Sequence, residues 1–323
     1  MNQSNQSITV FVRQKISIAV DIIAFELVPL DACELPPFTA GSHIDVHVPN
    51  GYVRQYSLYG DPTEMNCYRI AVLKDPKSRG GSIAMHDLIQ AGQTLKISAP
   101  RNHFPLNTEG KKSLLFAGGI GLTPLRSMAE ALSTSGSDFD LHYCVRTRDR
   151  AAFVEDLLVS DFAPKVYLHF DDSDESQKLD LNQVLANPNA GVHLYTCGPK
   201  GFMDAVLGTA RKLGWPEHQL HYEYFSAEAI QRDSDFPFEV QIASTGQLIS
   251  VGTDESIVRA LASAGVNVPV SCEQGVCGTC LTRVLDGTPE HRDMFLTPQE
   301  QSSNDQMLLC CSRSKSARLL LDL

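Results

Sequence analysis

Three cysteines fall within ten residues in SCEQGVCGTC, where Cys272, Cys277 and Cys280 are spaced C-x4-C-x2-C. Thiols at that density form a disulfide, a zinc site or an iron–sulfur cluster, depending on compartment and on where the fourth ligand lies. The chain begins MNQSNQSITVFVRQ, without a basic n-region or an apolar core leading to a small-residue cleavage site, so a reducing, cytoplasmic setting is expected and disulfides are disfavoured. Zinc sites usually draw on two separated C-x2-C-like pairs, often with histidine, whereas here three thiols crowd one loop. The plant-type [2Fe–2S] spacing, with one more cysteine much later, fits directly. MLLCCSRS offers two adjacent candidates for that ligand, Cys310 and Cys311, of which only one can ligate comfortably. Gly275 and Gly278 let the loop turn tightly and bring N–H groups near the sulfurs.

Two further constellations are suited to anions. KKSLLFAGGIGLTPLRSM reads as an apolar strand, a turn with Gly118, Gly119 and Gly121, and a helix with Pro124 in its first turn. Such a turn can cradle a phosphate, although tight strand-to-helix turns need glycine anyway. SRGGS directly precedes a helical stretch, so Gly80, Gly81 and Ser82 can offer N–H and hydroxyl donors to a phosphate. Asp171, at the end of the VYLHF run, is a candidate for a ribose hydroxyl and so for NADH; Arg146, Arg148 and Arg150 argue for NADPH instead.

These residues must be held by more than one core, because 323 residues suggest two or three domains. The first segment, to about Pro105, is strand-rich (HIDVHVP, VRQYSLYG, CYRIAVL, TLKISAP) with one helix at SIAMHDLIQAG, the pattern of an antiparallel barrel. The middle alternates strands (FDLHYCVR, KVYLHF, GVHLYTCGP) with helices (AAFVEDLL, PKGFMDAVLGTARKLG), the rhythm of a parallel sheet whose ligands sit at strand C-termini. AGGIG, RTR and TCGP all fall there. From Phe238, FEVQIASTGQLISV reads as a hairpin and DESIVRALASAG as a helix with acids in its first turn and Gly265 beyond its end. The net charge of −11 argues against nucleic acid or anionic membrane as a partner, and no apolar run approaches membrane-spanning length. The cysteines at 33, 67, 144 and 197 have no metal or disulfide spacing.

With RQYSL, SRGGS, AGGIGLTP, TCGP and CEQGVCGTC…CCSR in this order, the chain resembles the phthalate dioxygenase reductase family over essentially its whole length. The resemblance implies an FMN-binding antiparallel β-barrel (1–107), an NAD-binding α/β domain (108–228), a linker (229–237) and an α+β, β-grasp ferredoxin domain with a plant-type [2Fe–2S] cluster (238–323). It implies that Arg54 meets the flavin phosphate, Tyr56 lies against the isoalloxazine, Ser57 hydrogen-bonds near flavin N5, and Gly80, Gly81 and Ser82 form a second phosphate element. Thr123 and Pro124 then complete the nucleotide turn. Cys197, with Gly198 and Pro199 in TCGP, lies near the nicotinamide, and Phe225 is the aromatic beside the flavin. The family's C-x-S-R run puts the fourth iron ligand at Cys310.

The function so implied is an NADH-dependent reductase, because nicotinamide gives two electrons as hydride, the cluster takes one at a time, and a flavin can stand between them. Its partner would be a terminal oxygenase of Rieske type, bound transiently by a monomer or weak dimer. A cytochrome P450 or di-iron oxygenase could receive the same electrons, and a non-catalytic redox sensor is the reading from another class.

Overall fold

The computed structural model describes residues 7–30, 34–76, 78, 80–107, 109–174, 177–225 and 235–323. Most of the expected linker, 229–234, and Cys33 lie outside them. The chain divides into two compact units, Met1–Glu223 and Tyr224–Leu323. The first contains two sheets.

The barrel is built from β1 (Ile8–Ala19), β2 (Ile22–Pro29), β3 (Ser42–His47), β4 (Val53–Ser57), β5 (Tyr68–Leu73), β6 (Thr94–Ile97) and β7 (Arg101–Asn102), with helix α1 (Gly81–Leu88) between β5 and β6. Its strand order is β4-β3-β6-β1-β2-β5, with β7 on β3, and a bridge between Leu58 and Ile70 brings the two ends of that path together. Closure leaves few unpaired edges and encloses a core that includes Val10, Phe25, Ile44, Leu58, Ile70 and Met85. Lys15 reaches across to the open end of α1 and donates to the carbonyls of His86 (2.6 Å) and Ile89 (2.7 Å), satisfying acceptors the helix cannot.

The second sheet is fully parallel, order β10-β9-β8-β11-β12, made by β8 (Lys112–Gly118), β9 (Asp138–Val145), β10 (Val166–Phe170), β11 (Val192–Cys197) and β12 (Leu220–Glu223). Helices α2 (Leu122–Thr134), α3 (Val154–Val159), α4 (Leu181–Val184) and α5 (Lys200–Lys212) connect the strands. Strand β8 reads as a continuous apolar run because both its faces are covered. Trp215, 4% exposed, closes the core beneath α5.

The second unit is a mixed α+β fold of β13 (Phe238–Ile242), β14 (Leu248–Val251), α6 (Ile257–Ser263), β15 (Leu281–Asp286), β16 (Pro289–Glu290), α7 (Pro298–Ser303), β17 (Gln306–Leu308), β18 (Arg313–Ser314) and β19 (Arg318–Leu321). The expected hairpin is β13–β14, and the C-terminal strand pairs parallel to β13. One detail is corrected: α6 begins at an N-cap, Ser256, whose hydroxyl accepts from the Arg259 N–H, so Asp254 and Glu255 precede the helix instead of occupying its first turn. Gly265 does follow its C-terminus with φ +81°. No described helix is long and apolar enough to cross a membrane.

Candidate functional site

Strand β4 carries Arg54, Tyr56 and Ser57 at the edge of the barrel. The Arg54 guanidinium lies 4.5 Å from the centroid of the Tyr52 ring, and its Nη1 donates to the Val53 carbonyl at 2.7 Å. Its stem runs against Gly81, where a Cβ would come within 2.6 Å of Arg54 Nε. Gly80, at φ +100°, precedes α1 as an N-cap with no side-chain hydrogen bond. A cation and the electropositive end of a helix therefore meet at one place, a suitable setting for a phosphate. The ring of Tyr56 packs on the barrel core, yet its Oη is buried with no hydrogen-bond partner among the described residues. Burial pushes this phenol up, so it stays a neutral donor. An orphaned buried hydroxyl costs about 1–3 kcal/mol, and a ligand atom would relieve it, so the site fits a flavin. Ser82 differs from expectation: it lies inside α1, and its hydroxyl accepts from the Asp75 N–H (3.2 Å) and donates to Ser78 (3.0 Å).

The glycine turn after β8 is shaped mainly by its neighbour strand. A Cβ on Gly121 would overlap the Cys197 carbonyl, and one on Gly118 would strike Phe202 (2.7 Å) and Pro199 (2.9 Å). Two of the three glycines thus permit the TCGP turn to pack against the helix entry. Only Gly119, at φ +53° with open space around it, has the freedom a ligand-facing turn needs. Thr123 is 2% exposed and donates to the Ile120 carbonyl at 3.1 Å, and Pro124 is buried, so both brace the turn. Asp171 is exposed just past β10, its N–H held by the Val145 carbonyl at 3.0 Å. Of the competing arginines, Arg150 pairs with Asp21 of the barrel at 3.4 Å and Arg148 lies over the Phe170 ring.

One residue was not foreseen. Glu223 ends β12 directly beside Cys197 in the parallel ladder, and its carboxyl hydrogen-bonds the Ser57 hydroxyl across from the barrel. Desolvation of its buried carboxyl pushes Glu223 up to about 8, with the Ser57 contact opposing, so it is protonated at neutral pH. Burial, followed by the neighbouring Glu223, raises the Cys197 thiol well above its ordinary value. Cys197 is therefore a protonated, unreactive thiol. The signal was available in HYEYF, where an acid follows LHY at the end of an apolar run, but the strand is only four residues long. Phe225, two residues further, is half-buried and belongs to the second unit.

In the second unit, Cys272, Cys277 and Cys280 are 5%, 4% and 3% exposed. Among the described residues no three His, Cys, Asp or Glu side chains converge as ligands of one ion. The thiols instead meet pairwise, Cys272 with Cys277, Cys280 with Cys310, and Cys272 with Cys310, an arrangement that suits two irons with two sulfurs each. Backbone N–H groups of Gln274 (3.3 Å) and Thr279 (3.5 Å) point at Cys272 and Cys277. Shared hydrogen bonds draw Cys272 and Cys280 down and Cys310 up, the response of thiols competing for few protons. Cys311 contacts Cys310 but turns its Sγ toward Gly275, where a Cβ would lie 2.5 Å away, and toward the Leu308 carbonyl at 3.9 Å. Cys310 is thus the member of the pair that meets two loop thiols. Gly275 and Gly278 have φ of +73° and +72°, and a Cβ on Gly278 would overlap the Phe295 ring. Asp293 braces the loop from below: its carboxylate accepts from Phe295 and Leu296 N–H groups, and Met294 N–H donates to the Gly275 carbonyl at 2.9 Å.

Comparison with known proteins agrees with both units. Residues 240–315 match the model of the 2Fe-2S iron-sulfur cluster binding domain. The vanillate O-demethylase oxidoreductase of Pseudomonas sp. (strain HR199 / DSM 7063) is 54% identical over 306 residues, covering 95% of this chain and 96% of the relative. The phthalate dioxygenase reductase of Burkholderia cepacia is 40% identical, covering 97% and 98%. A solved phthalate dioxygenase reductase, described as a modular structure for electron transfer from pyridine nucleotides to [2Fe-2S], superposes with a TM-score of 0.79 at 38% identity, covering 99% of this chain and 98% of that one. An intact type IV self-sufficient cytochrome P450 monooxygenase gives 0.84 at 37% identity, but 98% of this chain spans only 41% of that protein. A flavin-type barrel, a parallel nucleotide sheet and a ferredoxin-like unit in this order, at this identity and coverage, mean that the chain belongs to the phthalate dioxygenase reductase and vanillate O-demethylase oxidoreductase family, reductase components that pass electrons through flavin to a [2Fe–2S] cluster.

Proposed function

We propose that this chain is an NADH-dependent, FMN-containing reductase that works in the cytoplasm and feeds electrons transiently to a Rieske-type terminal oxygenase, an O-demethylase of the vanillate type being favoured. The observation that carries the reading is the joining of Ser57, on the barrel, to Glu223 and Cys197, at the C-terminal edge of the nucleotide sheet. It supports a reading in which the flavin edge and the nicotinamide pocket share the same few side chains. Bound FMN would supply the chemistry that accepts hydride and releases electrons singly.

The chain's own residues do the rest. Arg54 and the start of α1 would hold the terminal phosphate, which favours FMN, a flavin ending in one phosphate. Tyr56 would donate its orphaned hydroxyl to the bound cofactor. Ser57 would be kept in one orientation by Glu223, whose carboxyl holds its proton at neutral pH. Cys197, fully buried, and the buried carboxyl oxygen of Glu223 would exclude water from the transfer path. Asp171 would favour a ribose hydroxyl over a 2′-phosphate, with Arg150 already engaged by Asp21. Cys272, Cys277, Cys280 and Cys310 would carry the cluster. The Pseudomonas vanillate O-demethylase oxidoreductases are 54% and 55% identical, whereas relatives named for phthalate and phenoxybenzoate are 40%, which favours the O-demethylase partner.

The test is reconstitution. The NADH-reduced protein is mixed with the oxygenase component of a vanillate O-demethylase, product formation is followed, and the flavin released by heating is identified. Demethylated product with NADH, weak product with NADPH, and FMN in the supernatant are expected. FAD, or a cluster that reduces a P450 and no Rieske protein, would overturn the corresponding part.

A further inference from the structure

Two residues beyond Ser57 the chain leaves β4 through Tyr59, whose ring packs on that of Phe153 at a tilt of 54° with centroids 4.6 Å apart. The Arg126 guanidinium lies over both rings, 5.2 Å from the centroid of Tyr59 and 4.6 Å from that of Phe153. The three residues come from separate elements. Tyr59 follows the strand of Arg54, Tyr56 and Ser57; Arg126 is in α2, the helix entered from the glycine turn; Phe153 is the N-cap of α3. Tyr59 and Phe153 are both 8% exposed. Arg126 is held further by Asp156, to which its Nη1 donates at 3.0 Å.

Phe153 has φ +63°, a left-handed conformation that a bulky side chain rarely adopts. Such a conformation persists where surrounding contacts over-determine it, and those around Phe153 include the Tyr59 ring, the Arg126 guanidinium and the Leu157 N–H on its carbonyl. The three side chains line a cleft of about 480 Å³ along which Ile16, Ile18 and Glu26 of β1–β2 face Glu130 of α2 and Asp156 of α3. The stack therefore bridges the barrel to the nucleotide helix beside an open seam. Tyr59 also donates its N–H to the Arg69 carbonyl at 3.0 Å, and Leu58 is bridged to Ile70, so a movement of Tyr59 is passed to Ser57 through a short, paired segment.

We infer that the Tyr59–Arg126–Phe153 stack is a positioning device that fixes the strand bearing Tyr56 and Ser57 against the helix of the nucleotide turn, and so sets the distance for hydride transfer. The inference rests on the proposed NADH-to-flavin reaction. In that reaction one hydride, two electrons with a proton, leaves nicotinamide C4 for the flavin ring, forming NAD⁺ and a flavin reduced by two electrons. Misplacement of about 1 Å at such a step lowers a rate by roughly 100-fold.

The experiment compares Phe153→Gly, Tyr59→Leu and Phe153→Tyr with the parent, all as flavin- and cluster-loaded full-length protein. Phe153→Gly removes the ring contact and relieves the left-handed strain, and the cost of the vacated ring volume is read separately in the thermal midpoint. Phe153→Tyr keeps the ring. Four quantities are read: the rate of flavin reduction per bound flavin at saturating NADH, the deuterium isotope effect, the dissociation constant for NAD⁺, and the thermal midpoint. The expected result is a rate lower by about ten- to a hundredfold in Phe153→Gly and Tyr59→Leu. A larger isotope effect, NAD⁺ binding within twofold of the parent, and recovery in Phe153→Tyr should accompany it. Rates per flavin within twofold of the parent overturn the inference, as does a slowed rate that follows weakened NAD⁺ binding or lowered thermal midpoint with no change in isotope effect. If Phe153→Gly does not fold, Tyr59→Leu decides by the same readings. Failure of the parent itself to be reduced by NADH, while dithionite reduces it, would refute the underlying functional reading instead.

Discussion

Replacing Glu223 by glutamine isolates the one acid that the fold keeps protonated at the join of the two sheets. Its carboxyl lies at about 8 in the folded chain against an ordinary 4.5. Folding therefore retains a proton that unfolding releases at any pH between those values, and stability must fall as pH rises through the window. The contribution is fully favourable below about pH 4.5, declines steadily, and levels off above about pH 8. At 1.36 kcal/mol per pH unit, the full loss is on the order of 5 kcal/mol. Glutamine is nearly isosteric, keeps a hydrogen bond for Ser57 and does not titrate, so Glu223→Gln should lack this loss. Urea unfolding followed through Trp215, the single tryptophan and a core residue of the nucleotide domain, reports the relevant unit. The stability of Glu223→Gln minus that of the parent should grow by about 3–5 kcal/mol between pH 5 and pH 8.5, from a starting offset of about 1 kcal/mol or less for the altered hydrogen bond. NADH-linked reduction by the parent should decline above pH 8, and that limb should flatten in the variant. Parallel stability curves would mean that Glu223 is ionised at neutral pH and would refute the reasoning.

Other expectations concern single side chains. Cys310→Ala should abolish the visible bands of the cluster and Cys311→Ala should retain them, as absorbance of the purified proteins will show; the opposite outcome would exchange their roles. Gly121→Ala forces a methyl onto the Cys197 carbonyl, and overpacking of this kind costs about 1–3 kcal/mol, so its urea midpoint should fall and NAD⁺ affinity with it. In the second unit, Arg292 and Arg313 enclose Asp235, with side-chain exposures of 4%, 8% and 6%. Asp235→Ala removes the carboxylate the two buried cations share, leaving Arg292 with Glu290 and Arg313 with backbone carbonyls, and should cost about 3 kcal/mol, the low end for a broken buried pair, read by chemical unfolding of the cluster-loaded protein followed at the cluster bands.

Much of this was legible in the sequence because local chemistry and global fold agree. The C-x4-C-x2-C loop, the αL glycines beside it and the late cysteine pair depend on spacing that survives folding unchanged. The parallel sheet follows from apolar runs separated by helical stretches, and the barrel from short alternating strands. What was not legible depends on long-range placement. Glu223 matters because β12 lands beside β11 and faces Ser57 from a different sheet, a meeting that no local pattern encodes. Gly118 and Gly121 look like phosphate-loop glycines from sequence, but in three dimensions their missing side chains make room for the TCGP turn. Ser82 has the composition of a phosphate donor, yet its hydroxyl is committed to Ser78 and to the Asp75 N–H, because α1 starts two residues earlier than a serine cap would require. The Tyr59–Arg126–Phe153 stack was equally hidden, since its members are separated by up to 94 positions along the chain.

The most direct test of the central claim is an anaerobic titration of the purified, air-oxidised protein with NADH, followed by visible absorbance and by electron paramagnetic resonance of frozen samples. The account predicts that flavin and cluster bands bleach together with NADH and that a reduced [2Fe–2S] signal grows as they do. Flavin bleaching with a cluster that stays oxidised, or no response to NADH where dithionite reduces both, would contradict it.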